Sequence, residues 1–149
     1  MDTTKIDPES SYQTLLVTWL GLLISQLLFL FLVFFIKPEL FALDFTKPLL
    51  GESAPGILVL GGLAVLVLAV SFLLKNKYLA QSVEEQKVVH VQTAMIVGCA
   101  LAEAISLFGL LLAFAHDYQY FFLFSALGIL TTLLHFPKRG SVHAATYKI

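Results

Sequence analysis

The feature that most constrains this chain is the stretch from residue 15 to residue 36, in which only Thr18, Ser25 and Gln26 are clearly polar. A helix of that length crosses a hydrocarbon core of roughly 30 Å. Three further apolar runs follow, at about residues 56–74, 83–115 and 120–136. The composition agrees: 58% of residues are hydrophobic and 13% charged, where soluble domains carry roughly twice that charged fraction. The reading is an all-α, polytopic membrane protein. One domain over residues 1–149 holds four transmembrane helices at about 12–36, 56–75, 83–115 and 119–136 in a small bundle.

Local signals place the ends. Asp7 followed by Pro8 has the pattern of an N-cap and first helical position, and Lys37-Pro38 closes the first helix. Ser82 with Glu85 three residues on has capping-box spacing, so the third helix is expected to start near Val83, run unbroken to Ala115 and protrude beyond the membrane at its N-terminal side. Gly61 and Gly62 thin the second helix, where such residues usually permit close helix approach. Tyr118 and Tyr120 are expected at one interface and His135 near the other. The N-terminus lacks a basic start and a short apolar core, so it is expected to be retained.

Lys and Arg counting sets the orientation. Lys5, Lys75, Lys77, Lys87, Lys138, Arg139 and Lys148 fall on one side, against Lys37 and Lys47 on the other, seven to two. Both termini and the second connection are therefore expected in the cytoplasm, with the chain in the inner (cytoplasmic) membrane. Lys75 and Lys77 read as a topology anchor.

Glu103 lies close to the centre of the third run. An ionised carboxylate at that depth costs a few kcal/mol on insertion scales, so the neutral acid is favoured. A protonated carboxyl donates one hydrogen bond and can release its proton when a polar path approaches. Gln26, near the middle of the first run, is its expected partner across the bundle, and Glu103 and Gln26 form the candidate ion-binding pair. On the same helix Ala94, Gly98, Ala102 and Ser106 recur every four residues, a small-residue ridge for helix packing. Glu103 sits about 100° from that ridge, at the edge of a close contact. Either the bundle's second helix or a neighbouring copy is expected to fill it.

Residues 93–110, reading Thr-Ala-Met-Ile-Val-Gly-Cys-Ala-Leu-Ala-Glu-Ala-Ile-Ser-Leu-Phe-Gly-Leu, resemble the carboxylate-bearing helix of the rotary ATP synthase c subunit, the proteolipid. In that family an Ala-Leu-x-Glu-Ala core holds the acid that carries the coupling ion around a ring of hairpins. The resemblance matches Glu103 to that acid. Ala104 stands where sodium-binding members usually have a hydroxyl residue, which implies a proton. Near its middle the preceding run offers only Gly61 and Gly62 in place of the family's alternating glycines, residues 76–87 replace its short polar loop, and a further helix follows the acid.

Other classes find less support. A net charge of -1 gives no basic field for nucleic acid. No phosphate loop, nucleophile elbow or metalloprotease signature occurs, so no enzymatic activity, metal site or cofactor is expected. His90 and His135 could converge as metal or haem ligands only without the usual paired spacing. His116 and Asp117 read as a solvated connection, Cys99 as inert packing, and the phenylalanines at 29, 31, 34 and 35 as lipid-facing bulk or core. Two readings remain. One is a proteolipid-like proton translocator centred on Glu103. The other is a structural or accessory subunit of a membrane complex that uses Glu103 and the ridge for helix association. Both place the chain in the bilayer, in a homo-oligomer or a larger complex.

Overall fold

The computed structural model describes residues 7–50 and 54–146, so Lys5 and Lys148 lie outside the described residues. Five α-helices follow in chain order: α1 (Pro8–Ile36), α2 (Ala54–Glu84), α3 (Val88–His116), α4 (Phe122–Leu134) and α5 (Arg139–Ala144). The first three are long and apolar enough to cross a membrane, and Gln119–Leu134 is a shorter apolar segment. No strand occurs among the described residues.

The first helix begins as its sequence predicts. Asp7 is the N-cap, its carboxylate accepts the Glu9 backbone N–H at 3.1 Å, and Pro8 occupies the first turn. At the other end Pro38 bars the preceding residue from the α region, and the helix stops at Ile36.

The second boundary differs from expectation. Residues 83 and 84 belong to α2, and α3 starts only at Val88. The Lys87 N–H bonds the Ser82 carbonyl at 3.2 Å and Gln86 takes a φ of 51°, which together make a Schellman ending for α2. The Ser82 hydroxyl donates back to the Leu79 carbonyl at 2.7 Å rather than capping a new helix. Serine and glutamate at this spacing therefore straddle a helix end. The helix that runs through residues 83 and 84 is α2, and α3 follows after a tight turn.

At the centre of the bundle α3 packs against α1, α2 and α4, while α1 also touches α4. One apolar cluster joins Tyr12 and Leu15 of α1 to Val91, Met95 and Cys99 of α3 and Val142 of α5. A second, at the opposite end, joins Val33 and Ile57 to Leu112, Ala113 and Phe121. The outward face of α1 is apolar, with Leu28, Phe31 and Phe35 more than half exposed, as suits a lipid surround and not water. Of the phenylalanines considered above, Phe34 also points outward.

The connection after α1 is tied down by two aromatic residues. The Tyr118 hydroxyl donates to the Leu49 carbonyl at 3.0 Å and that of Tyr120 to the Lys47 carbonyl at 2.8 Å. Both rings are buried within the protein. Lys37 closes the α3 C-terminus, donating to the carbonyls of Ala113 and Phe114 and pairing with Asp117. Lys75, Lys77, Lys87, Lys138 and Arg139 belong to the end of the bundle where α2 finishes and α4 finishes.

Candidate functional site

Between the two apolar clusters lies a layer of polar side chains. Glu103 is half-buried near the midpoint of α3. Its carboxylate oxygen Oε1 stands 2.6 Å from the hydroxyl of Ser25 on α1. None of the ion pairs among the described residues involves Glu103.

Ser25 Oγ is also 2.8 Å from the Leu22 carbonyl, and a hydroxyl has one proton to give. When that proton goes to Leu22, the contact with Glu103 is closed by a protonated carboxyl donating to Oγ. When Glu103 is ionised, the hydroxyl rotates and donates to it. A single hydroxyl can therefore meet either form of the acid, as acceptor or as donor.

Gln26, the residue expected to meet Glu103, is fully buried and engaged elsewhere. Its amide donates to the Thr132 hydroxyl at 2.5 Å, and its carbonyl accepts from the Ser106 hydroxyl at 2.8 Å. Successive residues on a helix point about 100° apart, so Ser25 and Gln26 cannot share one target. Gln26 turns toward the α3–α4 seam, and the shorter serine faces the acid. Trp19 extends this layer by donating from Nε1 to the Thr132 carbonyl at 2.8 Å.

All four ridge residues are buried. Along the ridge, Gly128 of α4 lies against Ala102 and Ser106, and His135, just past the end of α4, lies against Gly98; α4 was not among the expected occupants. A Cβ on Gly128 would fall 2.1 Å from Ser106 Oγ and 2.7 Å from the Ala102 carbonyl oxygen. At Gly98 a Cβ would fall 2.0 Å from the His135 ring. Gly61 and Gly62 have no neighbour within 4 Å of an added Cβ, so close approach inside the chain occurs at α3–α4 and not at these glycines.

His135 was expected near an interface and is 1% exposed. Its Nδ1 lies 2.7 Å from the Thr131 carbonyl, its ring packs against Phe72 with centroids 4.7 Å apart, and Nε2 is buried without a hydrogen-bond partner. His90 instead meets Glu85 at 3.0 Å, so the two imidazoles serve separate contacts. Among the described residues no three His, Cys, Asp or Glu side chains gather as metal ligands.

Sequence reasoning missed Ser25, Gly128 and Thr132 as members of this layer. Their signal was faint but present: each interrupts an otherwise apolar run at a depth where a polar or very small residue needs a neighbour to justify it. Comparison with protein families, with curated protein sequences and with solved structures gives no match for this chain.

Proposed function

We propose that this protein crosses the bilayer four times, with both termini and the α2–α3 turn on the cytoplasmic side of an inner membrane, and that Glu103 takes up and releases a proton in a small translocating assembly similar to the ATP synthase proteolipid. The carrying observation is that, among the described residues, Glu103 meets the Ser25 hydroxyl and forms no ion pair. A carboxylate kept for structure alone gains most from a fixed positive partner, whereas one that cycles its proton needs a partner able to accept and to donate. Ser25 has that property.

One fact supports the orientation. Five described basic residues belong to one end of the bundle and Lys37 and Lys47 to the other, which fits retention of the richer end in the cytoplasm.

The test is proton flux into liposomes carrying the purified protein, driven by a potassium diffusion potential and read with an entrapped pH-sensitive dye. Glu103→Gln should abolish flux while leaving insertion and oligomer size unchanged, and Glu103→Asp should retain part of it. Dicyclohexylcarbodiimide, which modifies protonated membrane carboxyls, should label Glu103 and block the same flux. Equal flux through the wild-type and Glu103→Gln proteins would end this reading.

A second reading rests on the way Ser25 joins α1 to α3 and α4 covers the ridge. There the polar layer only holds the helices in register, as in a structural or accessory subunit of a membrane complex. Glu103→Gln, which keeps a hydrogen-bonding group, would then be silent in every assay.

A further inference from the structure

Away from Glu103, at the end of the bundle where α2 and α4 finish, lies a cavity of about 260 Å³. Its polar wall is built by Lys75 and Asn76 of α2, His135, Lys138 and Ser141. No Asp or Glu lines it among the described residues. The deeper wall is apolar, made by Leu15, Phe72, Leu79 and Met95.

Two ammonium groups, those of Lys75 and Lys138, line one small cavity with no acid in its wall among the described residues. Lys75 is half-buried and donates to the Leu134 carbonyl at 2.9 Å, which fixes its head at the cavity wall. Lys138 is exposed at the mouth. Asn76 and Ser141 add an amide and a hydroxyl. A group with several negative oxygens satisfies this set, because it accepts from both ammonium ions and from neutral donors together. The volume falls just below the range for drug-sized ligands and suits a headgroup-sized anion, while the apolar wall suits adjoining hydrocarbon.

We propose that this cavity binds a phosphate-bearing anion, held by Lys75 and Lys138 with Asn76 and Ser141. The phosphate can arrive on a lipid headgroup from the surrounding leaflet or free from the aqueous side. Topology anchoring alone needs only positive charge near the interface, whereas here two of the basic residues line a defined hollow and Lys77, on the same helix, does not.

The chain's single tryptophan is a built-in reporter. Trp19 packs edge-on against Phe136, which lines the cavity, with ring centroids 5.0 Å apart. The full-length protein would be placed in phosphatidylcholine nanodiscs and its emission followed in two arms, one with increasing phosphatidic acid in the disc and one with inorganic phosphate added outside. The expected result is a saturable change in at least one arm. A response to phosphatidic acid alone identifies a headgroup site, and a response to inorganic phosphate identifies a free-anion site. Lys75→Gln and Lys138→Gln should each weaken binding about fivefold or more, Lys75→Arg should retain it, and Lys77→Gln should stay within about twofold. Unchanged circular dichroism and unliganded emission would show that each variant is folded. The absence of saturation in both arms, or equal weakening by Lys77→Gln, would overturn the proposal. Neither result bears on proton movement at Glu103.

Discussion

Ser25 Oγ and Glu103 Oε1 are 2.6 Å apart, and this contact joins α1 to α3 at the level of the polar layer. Its strength depends on its setting: hydrogen bonds between membrane helices average well below 2 kcal/mol, because an unpaired group in the unfolded state finds other partners. The contact therefore trims the register of α1 rather than holding the bundle together. The apolar clusters on either side do that.

Ser25→Ala should lower resistance to unfolding by sodium dodecyl sulfate by about 1 kcal/mol and slow proton flux, because Glu103 loses the hydroxyl that serves both of its charge states. Ser25→Thr keeps the hydroxyl and should preserve flux. Flux through Ser25→Ala equal to that of the wild type would remove the rotor from the mechanism.

Gly128→Ala should destabilise the bundle by about 1–3 kcal/mol. The added Cβ meets the Ala102 carbonyl oxygen at 2.7 Å, and backbone cannot swing aside. It would also disturb the Ser106 hydroxyl and with it the bond to Gln26. Gly61→Ala, where the new atom meets nothing, serves as the matched control and should be neutral or slightly stabilising because alanine is the better helix former. The same unfolding titration compares the two, and equal behaviour would contradict the α3–α4 packing described above.

Glu85, in the turn between α2 and α3, accepts from Lys87 at 2.8 Å and lies 3.0 Å from the His90 ring. Hydrogen bonds from Lys87 and then His90, reinforced by their charge, hold its carboxyl below the ordinary carboxylate range. A folded value below the unfolded one means that the turn's contribution to stability is present above the ordinary carboxylate value and is lost as pH falls through the depressed one. The side-chain carboxyl resonance of Glu85, followed by carbon NMR in detergent, should titrate at lower pH than that of a free peptide. Lys87→Gln should move the midpoint back up. A midpoint that ignores Lys87 would show the contact to be absent in solution.

The linear pattern of residues was enough to determine the solvent for which this chain is built, the existence of its apolar helices though not the boundary between the second and third, the cap at Asp7 and the stop before Pro38. Those properties depend on composition and on neighbours a few residues away, and hydrophobic run length carries them directly. The place of Glu103 near the middle of its helix followed from the same count. What the acid touches did not. Ser25 and Gln26 are adjacent and polar, and which one faces Glu103 is decided by how α1 is rotated against α3, a choice set by packing over the whole bundle. The same holds for the ridge, whose occupant is fixed by the closeness that Gly128 permits to α4, and for the turn at Gln86, where a left-handed residue other than glycine left no local sign. Contacts such as these join residues about 80 positions apart or more than 20, and only the folded arrangement of the helices brings them within reach.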